Sequence, residues 1–237
     1  MHELLYGAAN LLVYFLTAAS LALGCRFLCS IPDEVFRKTL HLILLGSYIP
    51  FLFSFSVWWK AVLLAILLEI AIYPILAFFE RFQNYTAITT QRREGEFKQS
   101  LLLAFTMLSA AMTVCWGWMG DRYLVLVCMY AWGVGDVFAA LVGKKFGRHK
   151  IRLKYADHRK SVEGSLAMFL TSALAVMVVL LFRGGMHPAG YVVIPAAAAG
   201  TAALVEMHTK GGYDTITCPS AAMVVTLPLM ALFGGMT

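Results

Sequence analysis

The chain has 237 residues and a mass of 26.1 kDa; 60% of the residues are hydrophobic and 14% charged, the mean hydropathy is +0.76 and the formal net charge is +6. A water-soluble domain carries about 25% charged residues to keep its surface wet, so an ordinary soluble globule is excluded. Disorder is excluded too, because it requires the opposite composition. A helix that crosses a bilayer takes about 20 apolar residues, and runs of that length use up most of the chain. The sequence therefore predicts an all-α fold, a polytopic membrane helical bundle forming a single integral membrane domain over 1–237.

Eight apolar segments predict spanning helices at about 4–24, 39–57, 59–79, 100–119, 122–142, 164–182, 189–206 and 217–235. The first lacks a basic n-region and is followed by no small-residue cleavage site, which reads as a retained helix. The seventh is the weakest, Ala-rich and interrupted by Pro195 and Gly200, so that seven spans is the lower count. The eighth contains Pro219 and Pro228, which membrane helices tolerate where neighbours satisfy the freed backbone groups.

Charge sets the expected orientation. Segments 25–38, 80–99, 143–163 and 207–216 hold sixteen of the nineteen Lys and Arg residues; Lys60, Arg122 and Arg183 lie on the alternate loops. Positive loops stay cytoplasmic, so both termini are expected outside, in a bacterial cytoplasmic membrane, with the basic loop 143–163 in the cytosol. This asymmetry accounts for the net charge without a nucleic-acid partner. Basic loops at a bilayer also attract anionic headgroups and phosphate-bearing substrates. The five cysteines have no metal-ligand spacing and read as small apolar fillers. His2, His149, His158, His187 and His208 are scattered in the same way and read as loop or interface residues.

Polar groups at membrane depth are costly and are candidates for function by default. Glu69, near the middle of the third span, suits either an ion path or a pair inside the bundle. Asp136 follows Gly135 in the fifth span, and at 100° per residue it shares a face with Ala140, Gly143 and Gly147. That stripe permits close approach of a ligand, or simply of another helix. In the next segment Ser161 is a plausible N-cap, which points free N–H groups out of the helix start. Lys160 stands beside that start and makes a phosphate site. Glu163 in the first turn either complements the helix dipole or joins a metal site. Glu206 closes the seventh span, and Asp214 opens the eighth, where capping competes with a binding role. Arg37, Lys38 and His41 lie at the start of the second span, and Arg92, Arg93, Glu94, Gly95 and Glu96 form a mixed-charge loop before the fourth.

Together the expected topology brings Asp136, Glu163, Glu206, Asp214, Arg37, Lys38 and Lys160 to one membrane face. Carboxylates hold hard cations through oxygen, and Lys and Arg offset phosphate charge in a transition state. Mg²⁺-nucleotide chemistry fits this set, although no Walker A sequence and no kinase Gly-rich loop is present. A secondary transporter would instead put ionisable groups at the midplane in two repeats. Glu69 alone meets that description, and no internal symmetry is visible. A membrane scaffold would give the carboxylates no reason to gather.

At these residues the chain resembles the polyprenol kinase group of membrane proteins, which includes dolichol kinase, plastid phytol kinase and CTP-dependent diacylglycerol kinase. The resemblance runs from Arg37 to Pro219. It is carried by Gly135-Asp136 through Gly147 and by Lys160-Ser161-Val162-Glu163-Gly164-Ser165, with Arg37-Lys38-x-x-His41 and Glu206…Asp214 in support. Where the family usually has Asp-Asn this chain has Asp214-Thr215, and Thr can still donate and accept a hydrogen bond. The group is more distantly similar to phosphatidate cytidylyltransferases, whose motifs read Asp-Thr and Pro-Lys-Lys-Thr; Asp136-Val137 and Arg159-Lys160-Ser161 favour the kinase branch.

The resemblance implies transfer of the γ-phosphate of CTP to the hydroxyl of a lipid alcohol of the polyprenol, phytol or diacylglycerol type. It implies Mg²⁺ on Asp136 and Asp214, with Glu206 as a further ligand. Lys160, Ser161 and the start of the sixth span, with Glu163, Gly164 and Ser165, would hold phosphate. Lys144 and Lys145 would steer the nucleotide past Gly143 and Gly147, and Thr215 would contact it. Arg37, Lys38 and His41 are candidates for phosphate contact or for orienting the hydroxyl. The partners expected are a nucleoside triphosphate, a lipid alcohol and the membrane; a homo-oligomer is compatible with the sequence.

Overall fold

A computed structural model describes residues 2–29, 31–80, 95–151, 160–210 and 212–234. Arg81, Arg92, Arg93, Glu94, Arg152, Lys154, His158 and Arg159 lie outside these residues. All regular elements among the described residues are helices: α1 (His2–Leu28), α2 (Asp33–Phe53), α3 (Trp58–Phe79), α4 (Glu96–Ala111, continued by a π-helical turn Met112–Trp118), α5 (Arg122–Phe146), α6 (Val162–Arg183), α7 (Gly190–His208) and α8 (Asp214–Leu232). Seven of the eight are long and apolar enough to cross a membrane. The protein is an all-α, polytopic membrane bundle.

The helix that falls short of that measure is α2 and not the Ala-rich α7. Asp33, Glu34, Arg37, Lys38 and His41 all fall in its first three turns, which shortens its apolar run. Helix α7 continues through Pro195. Proline at that point removes a single ladder hydrogen bond, which a packed membrane helix can accommodate.

The chain divides into two compact units, Met1–Ala110 and Ala111–Thr237. In the first unit α1 packs on α2 and α3. Glu3 pairs with Lys60 at 2.9 Å and accepts from the Ser56 hydroxyl at 2.8 Å. Asn10 donates to Ser54 at 3.0 Å, and the Tyr14 hydroxyl donates to the Ile43 carbonyl at 2.9 Å. Phe36, Phe51, Leu52 and Phe55 are buried at the core. Glu69 finds a partner that sequence alone does not identify: the Thr106 hydroxyl donates to its Oε1 at 2.8 Å. That hydrogen bond from α4 gives a membrane-depth carboxylate a local partner and needs no ion path.

In the second unit α5 is the central helix, packed on α6, α7 and α8. Leu124 through Met129 are all buried, so this stretch has no lipid-facing side. Asp121 caps its start by accepting from Tyr123 N–H at 2.8 Å, and the same carboxylate is ion-paired with Arg183 at the end of α6. The three buried cysteines, Cys115, Cys128 and Cys218, belong to this unit and fill space as expected; Cys25 and Cys29 are exposed.

Candidate functional site

In the second unit the C-terminal half of α5 packs against the start of α6, and the end of α7 and the start of α8 meet it. Helix α6 starts where the sequence predicts. Ser161 has extended φ and ψ of −138° and 155°, and its hydroxyl accepts from Gly164 N–H at 3.2 Å. The segment leading into it is held as a narrow neck. Ile151 N–H donates to the Lys160 carbonyl, and Val162 N–H to the His149 carbonyl, both at 3.0 Å. Glu163 reinforces this neck from the first turn of α6, accepting from His149 N–H at 3.1 Å and meeting its Nδ1 at 2.7 Å. Its partner is thus the neck.

The glycines of the α5 stripe meet α6. A Cβ on Gly164 would stand 2.9 Å from the Ala139 carbonyl oxygen and 3.3 Å from Gly143 Cα. One on Gly147 would stand 2.6 Å from Ser161 Oγ, and one on Gly135 would reach Met168 Cγ at 2.6 Å. Close helix approach through small residues, one of the two alternatives the sequence leaves open for the stripe, is seen at Gly143 and Gly147. Ser165 is half-buried, its N–H bonded to the Ser161 carbonyl. Lys144 and Lys145 are exposed at the end of α5, as a role in attracting an anionic ligand would require.

Asp136 on α5, Asp214 on α8 and Lys160 all lie within electrostatic reach of Glu206 on α7. Lys160 pairs with Glu206 Oε1 at 2.8 Å, and its ammonium also donates to the Glu206 and Thr209 carbonyls. It thereby satisfies backbone acceptors that every helix end leaves open. Both side chains of this pair are largely buried. Thr215 is buried next to Asp214. Helix α8 has Tyr213 at its cap, with no side-chain cap hydrogen bond. Asp214 instead accepts from the Trp132 indole at 3.2 Å. Trp132 lies 14 residues before the end of α5, on the order of 20 Å along that helix.

Arg37, Lys38 and His41 belong to the other unit. There Arg37 pairs with Glu34 at 2.6 Å, and Lys38 is buried. Sequence reasoning missed Trp132 as a partner of Asp214, although its spacing of one turn from Asp136 was visible. It also missed His149 as a partner of Glu163, and the Asp121–Arg183 pair.

Among the described residues no three of Asp, Glu, His and Cys are grouped closely enough to hold a metal by themselves. Mg²⁺ keeps several waters and is held through one or two carboxylates plus substrate phosphates, a demand that Asp136 and Asp214 can meet.

Comparison with known proteins gives one informative likeness. The chain is similar to a phytol kinase. That protein, from Synechocystis sp., is 36% identical over 103 residues, which cover 42% of this chain and 40% of the relative. The chain thus matches well under half the length of that curated relative. No family model matches, and no solved structure matches.

Proposed function

We propose that this protein is a lipid kinase that transfers the γ-phosphate of CTP to the hydroxyl of a membrane lipid alcohol. The similarity to a phytol kinase carries the reading, and the acidic residues gathered beside Lys160 support it. In the reaction the lipid hydroxyl oxygen forms a bond to the γ-phosphorus and the bond to the bridging β,γ-oxygen breaks. CDP leaves, and the hydroxyl proton passes to solvent. Asp136 and Asp214 would hold Mg²⁺, which supplies positive charge to the phosphates. Glu206 fixes Lys160 at the rim of this group, and an arriving triphosphate competes with it for the ammonium. Lys144 and Lys145 draw the nucleotide towards the membrane. Phosphoryl transfer depends on such positioning and charge more than on a strong base.

Two labelled nucleotides test the chemistry. Membranes containing the protein, given a lipid alcohol and γ-labelled CTP, are expected to yield labelled lipid and unlabelled CDP. α-Labelled CTP should give no labelled lipid. Label entering from the α position with release of pyrophosphate would establish a phosphatidate cytidylyltransferase in its place.

The same reading puts the site in the cytosol and both termini outside. A single cysteine at position 150 should therefore resist a membrane-impermeant thiol reagent in intact cells and react once the cells are opened. Labelling in intact cells would overturn the orientation.

A further inference from the structure

We propose that Trp132 is a positioning residue for this reaction, its indole N–H holding the Asp214 carboxylate in register with Asp136 so that both face one divalent cation. The inference rests on the lipid kinase reading and adds a residue to it. Trp132 is 2% exposed. An indole N–H can only donate, and a buried one needs an acceptor. Its acceptor here is Asp214 Oδ2 at 3.2 Å, 82 residues away in sequence. A core tryptophan could satisfy its N–H on a carbonyl or hydroxyl, whereas a carboxylate at membrane depth is costly to place.

The position along α5 gives this bond its consequence. Trp132 and Asp136 are four residues apart on one helix, hence on the same face one turn apart. The helix that presents Asp136 therefore also fixes one oxygen of Asp214, and the spacing of the two carboxylates is tied to one rigid element. Asp214 lies in the first turn of α8, where the cap residue Tyr213 makes no side-chain bond. Partners that orient ligating carboxylates typically matter about 10- to 100-fold in metal affinity.

Binding of labelled CTP to detergent-solubilised protein, without lipid acceptor and at rising Mg²⁺, reads this out directly. Trp132→Phe keeps an aromatic ring and removes the donor. It is expected to raise the Mg²⁺ midpoint for CTP binding about ten-fold, with the same CTP binding at saturating Mg²⁺. The KM for the lipid alcohol should stay unchanged. Asp214→Asn should raise the midpoint as well, and adding Trp132→Phe to it should cost less than about two-fold more, because the bond joins the two residues. A purely structural role would lower the melting temperature and leave the midpoint in place, which would overturn the inference. Wild-type protein that binds no CTP at any Mg²⁺ concentration would remove the kinase reading and this inference together. Should Trp132→Phe not fold, the indole ¹⁵N–¹H resonances of the five tryptophans give a second answer. One resonance is expected to move both on adding Mg²⁺ with CTP and in Asp214→Asn; no resonance responding to both would overturn the proposal.

Discussion

Asp136→Asn is expected to lower lipid phosphorylation about a hundred-fold or more, which is about 3 kcal/mol of transition-state stabilisation. The substitution keeps the side-chain volume and one carbonyl oxygen, so the half-buried site on α5 keeps its packing. What it removes is the negative charge, and a hard cation is held by charged or strongly polar oxygen. Asp136 also lies within electrostatic reach of Glu206, as Asp214 does. Loss of its charge changes the field at the phosphates even where the cation still binds. The variant should insert and elute as a folded protein, with CTP binding weakened most at low Mg²⁺. Turnover within a few-fold of wild type would remove Asp136 from the site and leave Asp214 and Glu206 without their central partner.

The spans were legible because the bilayer leaves the backbone few choices. A segment in hydrocarbon must satisfy its own N–H and C=O groups, so each long apolar run implied a helix. All eight predicted segments match helices, with ends shifted by up to six residues. The start of α6 was legible for a local reason: a Ser ahead of an apolar run is a capping signal, and Ser161 makes that bond. The stripe of Gly143 and Gly147 signalled close approach but could not say to what. The partner turned out to be Gly164 and Ser161.

Pairings between groups far apart in sequence were not legible, since they depend on the rotation and depth of each helix against its neighbours. Lys160 with Glu206, Asp214 with Trp132, Glu163 with His149 and Glu69 with Thr106 are 46, 82, 14 and 37 residues apart. Sequence could place most of these groups at the correct helix ends, but it could not choose among the partners available there. Glu163 shows the consequence. Its position in a first helical turn suited a dipole role or a metal role, and the structure gives it to the neck of the basic loop.

Gly164→Val is expected to destabilise the second unit by about 3 kcal/mol, the upper end for overpacking, and to lower activity by more than ten-fold. A Cβ here would meet the Ala139 carbonyl oxygen at 2.9 Å and Gly143 Cα at 3.3 Å. Both are backbone atoms of α5, so no side chain can turn away and the helices themselves must part. The crossing lies between Asp136 and the end of α5 on one side, and beside the Ser161 cap and Lys160 on the other. Separating α5 from α6 therefore shifts Asp136 away from the helix start that would hold phosphate, and strains the Lys160–Glu206 pair. Gly164→Ala, which adds the single methyl, should show the same direction with a smaller loss. Thermal unfolding followed by size-exclusion of the detergent complex measures the stability term, and initial rates on the fraction still folded measure the other. Unchanged stability and rate in Gly164→Val would mean that α5 and α6 are not packed through this point, and that the stripe from Gly143 to Gly147 is open to a ligand.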